Sequence, residues 1–395
     1  MRFRSLIFVA LLILSAVCPA AAQSDSVRAA MQPFVDSGDV AGIVTFIGNK
    51  DGVVDVQVLG VADIEQKLPM RRDTIFRIAS MTKPITALAI MQLVEEGKLN
   101  VEDPVEKYLP EFKGQLLLVS KEGDTVTLKK PSRPIAVKDL LTHTSGLPNY
   151  PPGLADVYQK RNRTLSETTI AISQAPLAFE PGSKWSYCNP GIDTLGRIVE
   201  VVSGRPYDVY LAERIFQPLG MIDTTPYPTA EQLARVAVTY GKEEGRLTAR
   251  PGGVLDYAGG AKHPVPAGGL FSTGDDLAKL YQCLLNHGTQ GGVQIIGAKT
   301  LAEMTREHTG DLRAGFVDGS AWGYGLSLVR EPQGVTQNLS AGSFGHGGAY
   351  GTQGWIDPVK GVYTILLLQR TGLPNSDGSA MRKALHDAAA HLGQP

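Results

Sequence analysis

The sequence predicts an α/β fold of the α+β kind. One antiparallel sheet is built from both chain ends, flanked by helices, with a mainly helical region inserted. Three observations carry this. The β-rich runs Gly42–Ile47 and Val53–Leu59 flank Gly48-Asn49-Lys50-Asp51-Gly52, a turn composition that reads as a hairpin. Helical spacing then dominates from Ser80 to about Leu285. Strand-like runs return at Gly325–Val329, Gly351–Ile356 and Val362–Gln369.

Element by element, a short helical start is expected over Asp25–Ser37, ahead of the hairpin. Ser80–Glu96 carries apolar residues at Ile85, Leu88, Ala89, Met91 and Leu93 in helical register, and Gly97 marks the stop. Leu116–Lys130 reads as a charged, hairpin-like insert, and Ala380–Leu392 as a closing helix. No internal repeat or linker divides the chain. Residues 23–395 are therefore expected to form one domain, with a sheet region at about 23–79 and 286–395 and a helical region at about 80–285. Its functional site is expected at the seam between sheet and helices.

Arg2 and Arg4 precede the apolar run Leu6–Val17, and Ala20-Ala21-Ala22 follows as a small-residue cleavage signal. This is the pattern of a secretory signal peptide over residues 1–22, which predicts a periplasmic or secreted protein cleaved near Ala22, with no stable membrane insertion afterwards. Cys18 raises a lipoprotein alternative, but Ser15 and Val17 fit a lipobox poorly. Removing the leader takes away two of 38 basic residues and leaves 36 against 39 acidic ones, so no basic field exists for nucleic acid. Cys188 and Cys283 lie in segments that read as core and are expected as buried thiols, although one bridge between them is open. Histidines are scattered and no H-E-x-x-H or C-x-x-C pattern occurs, so neither a metal nor a cofactor is expected.

Ser80-Met81-Thr82-Lys83 is the one S-x-x-K in the chain. Pro84 lacks an N–H and fits without loss only in a first helical turn, which puts Ser80 at a helix N-terminus. The i, i+3 spacing then brings the Lys83 amine over the Ser80 hydroxyl, a weak nucleophile that an adjacent base activates. Tyr187-Cys188-Asn189 follows a Pro/Gly-rimmed loop. A phenol beside an ammonium gives up its proton more readily, so Tyr187 is a candidate proton relay, with the Asn189 amide able to orient an acyl group. His346-Gly347-Gly348-Ala349 lies among the late β-prone runs, where paired glycines let a substrate approach the strand backbone.

In this order the three motifs resemble class C β-lactamases, low-molecular-weight penicillin-binding proteins and family VIII carboxylesterases of the serine β-lactamase/penicillin-binding-protein superfamily. Asp139–Leu147, Pro266–Thr273 and Gly345–Gly348 look like the same group. The resemblance implies a Ser80 acyl-enzyme, with Lys83 and Tyr187 handling its proton and Asn189 in support. It also implies an oxyanion hole made by the N–H groups of Ser80 and Ala349, and a small acyl ester or lactam as substrate. Where β-lactamases usually carry Lys-Thr-Gly, this chain has His346-Gly347-Gly348. A histidine is mostly neutral near pH 7 and glycine has no hydroxyl, so carboxylate binding weakens by roughly 1.5 to 3 kcal/mol.

A carboxylesterase acting on small acyl esters is therefore the leading expectation; a β-lactamase and a D-specific peptidase or transacylase on cell-wall-like peptides are the alternatives. Retention of Ser80, Lys83 and Tyr187 argues against a catalytically silent binding protein on the same scaffold. No serine has glycines at both −2 and +2, which removes the α/β-hydrolase elbow. Glu96-Gly97-Lys98-Leu99-Asn100 imitates the water-activating segment of class A enzymes, but at 1.5 Å per residue Glu96 lies about 24 Å from Ser80.

Overall fold

The computed structural model of the chain describes residues 19–149, 160–250, 257, 259–373 and 375–390. The leader up to Cys18 lies outside them. Helix α1 spans Pro19–Asp36, beginning six residues before the expected start at Asp25. Strands β1 (Gly42–Asn49), β2 (Gly52–Asp63) and the short β3 (Leu68–Pro69) follow, and the Lys50–Asp51 turn joins β1 to β2 as expected. After α2 (Thr82–Glu95), the long middle stretch contributes α3 (Asn189–Ser203) and α4 (Gly274–Leu285) among its helices. The sheet is completed by β4 (Ser320–Trp322), β5 (Ser327–Val329), β6 (Phe344–Gly347), β7 (Gln353–Asp357) and β8 (Val362–Leu367), and α5 (Ala380–Ala389) closes the described chain.

All eight strands form one sheet in the order β4-β5-β6-β7-β8-β1-β2-β3. β1 runs antiparallel to both β8 and β2, with Val44 opposite Leu367, so the two chain ends meet in the middle of the sheet. Side chains alternate across its faces. Val44 and Phe46 of β1 and Ile365 and Leu367 of β8 join the large core with α2 and α4. Ile43, Ile47, Leu366 and Leu368 pack with Val27 and Met31 of α1 and Leu385 of α5. Because both faces of β1 are covered, its sequence is a nearly unbroken apolar run instead of an alternating one.

Two strand expectations shift for a backbone reason. Gly325 and Gly351 have φ of +75° and +85°, outside the strand region, so those strands begin at Ser327 and Gln353. The Leu117–Glu122 and Thr125–Lys129 strands form the expected charged hairpin. A second hairpin, Tyr240–Glu243 with Arg246–Ala249, was not anticipated in the helical region. Among the described residues Cys188 and Cys283 are free, buried thiols, and no helix is long and apolar enough to cross a membrane.

Candidate active site

Ser80 sits between the sheet and α2, in a 3₁₀ turn, Ala79–Met81, that runs directly into the helix. Pro84 falls in the first turn of α2, as its missing N–H requires. Ser80 thus lies at the helix N-terminus as expected, and its side chain caps neither the turn nor α2. Its hydroxyl instead accepts a hydrogen bond of 3.0 Å from Lys83 Nζ. Ala79, the residue before it, holds φ at +46°, a left-handed conformation that costs a β-carbon-bearing residue of order 1 kcal/mol. Among the described residues the N–H groups of Ser80 and Ala349 donate to no acceptor.

Lys83 is fully buried. Its Nζ also donates to Ala267 O at 2.5 Å and lies 4.7 Å from the centroid of the Tyr187 ring, over its face. Desolvation pulls its pKa down from 10.5 to about 7, against the opposing pull of Asp193 and Cys188. The carbonyl that receives Lys83 is fixed from both sides. Ala267 N–H donates to Asp193 Oδ1 at 2.9 Å, and Pro266 O accepts from Thr86 Oγ1 at 2.7 Å. Val265, at the start of this segment, also has a positive φ, +52°.

Tyr187 is held from behind by His143, a residue of the Asp139–Leu147 segment whose part the sequence did not disclose. His143 O accepts from Ser186 N–H at 2.9 Å, and its Nδ1 accepts from Cys188 N–H at 3.2 Å, so both neighbours of Tyr187 are tied to one residue. Its ring lies 4.6 Å from that of Tyr187. Accepting at Nδ1 leaves the proton on Nε2, and burial keeps the ring neutral, its pKa well below 6.5. His143 is the third left-handed residue around the site, at φ +59°.

Trp185, Phe316, Trp322 and His346 complete an aromatic cage around the Tyr187 ring, with centroids 6.3, 4.9, 6.2 and 6.0 Å away. Trp322 is fully buried, whereas Phe316 is 41% exposed and stands at the rim. None of the three larger members carried a motif. Of Tyr150 and Trp322, the two residues the sequence offers as shaping the pocket, Trp322 joins the cage and Tyr150 lies outside the described residues.

Asn189 opens α3, and its backbone N–H donates to Asn149 Oδ1 at 2.9 Å. His346 is buried on β6, with Nδ1 2.6 Å from Gly347 O. Since a carbonyl only accepts, Nδ1 carries the proton, and Nε2 is an acceptor with no partner among the described residues. Burial and the nearby Lys83 depress the His346 pKa to about 3, so the imidazole is neutral throughout the physiological range.

The paired glycines also have a packing reason that the sequence did not suggest. A β-carbon on Gly347 would stand 2.2 Å from Asp377 Oδ1 and 2.4 Å from Gln353 Nε2. One on Gly348 would stand 2.1 Å from Thr352 Oγ1 and 2.6 Å from Ile78 O. A side chain at either position would meet atoms of this chain. Gly348→Ala is therefore expected to push the Ala349 turn away from the Ile78–Ala79 backbone that carries Ser80. Overpacking of this kind costs about 1–3 kcal/mol. A lowered Tm together with slowed acylation by a fluorophosphonate would show it; unchanged acylation would mean that the two segments need not stay in register.

Glu96 plays no part here. At the far end of α2 it pairs with Arg214 at 2.6 Å and Lys98 at 2.8 Å, which hold its pKa below the usual carboxylate value.

A sheet closed by both chain ends, with an activated serine at the start of the helix beneath it, defines the β-lactamase-fold serine hydrolases. The chain belongs to that family: its beta-lactamase model matches residues 27–389. Among curated proteins it is similar to esterase EstB of Burkholderia gladioli, 30% identical over 88% of this chain and 90% of the relative. It is also similar to protein Rv1367c of Mycobacterium tuberculosis, 32% identical over 87% and 90%. Among solved structures it resembles EstCE1, a hydrolase with promiscuous acyltransferase activity, with a TM-score of 0.77 and 26% identity over 94% of this chain and 99% of that one.

Proposed function

We propose that this chain is a carboxylesterase for small, uncharged acyl esters, working through an acyl-enzyme on Ser80. The observation that carries the reading is the buried Lys83 amine, 3.0 Å from Ser80 Oγ and tuned to titrate at about 7. A neutral amine there takes the Ser80 proton as the hydroxyl attacks the ester carbonyl. The Ser80 and Ala349 N–H groups receive the developing oxyanion, a role in which one donor is typically worth a few kcal/mol. Tyr187, whose ring covers Lys83, passes the proton on to the departing alkoxide. Water then enters by the reverse route and releases the acid. Asn189, at the head of α3, is assigned to orienting the acyl group.

The preference for ester over lactam rests on His346. A neutral imidazole on β6 offers a carboxylate no charge to meet, and a hydroxyl-bearing side chain at position 347 would collide with Asp377. Likeness to esterase EstB supports the esterase side, and likeness to EstCE1, a hydrolase with promiscuous acyltransferase activity, supports acyl transfer. Export after loss of the leader is part of the proposal and rests on the Arg2–Ala22 pattern alone.

The purified protein should turn over p-nitrophenyl butyrate with a kcat/KM at least a hundredfold above its values for a chromogenic cephalosporin and for a D-alanyl-D-alanine peptide. Equal or reversed values would replace the esterase reading by a lactamase or peptidase one.

A further inference from the structure

Residues 371–373 and 375–379, between β8 and α5, border the site at three places. Leu373 Cδ1 would lie 2.9 Å from a β-carbon on Gly351, which puts the loop against the turn that follows Ala349. Asn375 Nδ2 donates to Phe316 O at 3.2 Å, which ties it to the rim of the aromatic cage. Asp377 Oδ1 fills the space where a side chain on residue 347 would project, two residues before Ala349. The carboxylate is steered into that place. Gln353, buried beneath it and opposite Gly347 in the sheet, donates to Ser376 O at 3.0 Å and to Asp377 Oδ1 at 3.5 Å. Arg382 donates to the Asp377 carbonyl at 2.6 Å, while its guanidinium is stacked 3.9 Å from the Trp355 ring centroid. Among the described residues no lysine or arginine forms an ion pair with the Asp377 carboxylate.

We propose that Asp377 is a specificity-determining residue that turns anionic acyl donors away from the strand edge beside Ala349, so that the site selects esters whose acyl part carries no charge. The inference rests on the esterase reading and names its substrate class. Two like charges brought together where protein excludes water repel far more than in bulk solvent, and recognition sites commonly reject competitors by such repulsion. Arg382, 1% exposed and stacked on Trp355, offers a ligand no direct contact of its own. Burial raises the Asp377 pKa above 3.8, with Arg382 and Gln353 opposing, so the discrimination should strengthen as pH rises and the carboxyl ionises.

The test compares p-nitrophenyl butyrate with mono-p-nitrophenyl glutarate, whose acyl chain is the butyryl chain ending in a carboxylate. In Asp377→Asn the glutarate-to-butyrate ratio of kcat/KM should rise at least tenfold over wild type, carried by the glutarate ester, which is about 1.4 kcal/mol. Asp377→Ser, smaller and also uncharged, should move the ratio the same way and serves if the asparagine variant does not fold. A ratio within threefold of wild type, or one that moves only because butyrate turnover collapses, would overturn the assignment. Should the wild type turn over neither ester, the esterase reading fails separately. The same ratio is then read from Ser80 labelling rates with an alkyl fluorophosphonate against one ending in a carboxylate.

Discussion

Ser80→Ala should lower ester turnover by about five orders of magnitude while the protein stays folded. The hydroxyl is the one atom that would bond to the acyl carbon, and no neighbouring group can stand in for it: Lys83 is fully buried and bonded to Ala267 O. The structural cost is small. Ser80 caps no helix, so its removal gives up one hydrogen bond with Lys83, worth about 1 kcal/mol. Intact-mass analysis after a fluorophosphonate should show one adduct on the wild type and none on the variant, at matching Tm. Equal labelling would take Ser80 out of the reaction.

Lys83→Met should cut acylation by at least about a thousandfold and at the same time make the protein more stable. The folded-state pKa of about 7 lies below the unfolded value of 10.5, so between these values the unfolded chain binds more protons than the folded one. For this group, stability therefore rises with pH from about 7 to 10.5, and the full burial penalty applies below about 7. A shift of that size corresponds to on the order of 5 kcal/mol. Methionine escapes it but leaves Ala267 O without its donor, at about 1–3 kcal/mol. The net gain should be a few kcal/mol at pH 6 and should fade towards pH 10. Denaturant midpoints of both proteins at the two pH values measure it. In the wild type, acylation should rise with pH through about 7 as the amine loses its proton. A variant less stable at pH 6 would contradict a buried, destabilised amine.

What the sequence disclosed and what it hid separate along a physical line. Ser80, Lys83 and Pro84 lie within one helical turn, where spacing alone dictates proximity, and the structure brings the first two within hydrogen-bonding distance. The β1–β2 hairpin was legible because Gly48 to Gly52 is a turn by composition. The tight entry at Ser80 was not legible, because the 3₁₀ turn forms where Thr82 N–H bonds to the Ala79 and Ser80 carbonyls. Gly325 and Gly351 were read into strands because composition does not reveal the sign of φ. His143, Asp193, Trp322 and Asp377 gain their parts only through contacts with residues far along the chain. The collision of a β-carbon at 347 with Asp377 belongs to the same class.

The pairing of β1 with β8 also governs when the molecule comes to life. Val44 cannot meet Leu367 until the segment that separates them has been made, so a nascent protein holds an apolar strand with one flank open over that stretch of synthesis. The Ala349 turn and the Asp377 loop are likewise made long after Ser80. A chain cut short before β8 would lack the β1–β8 pairing that closes the sheet beside Ser80 and Ala349, so the two should come together only after β8 is made.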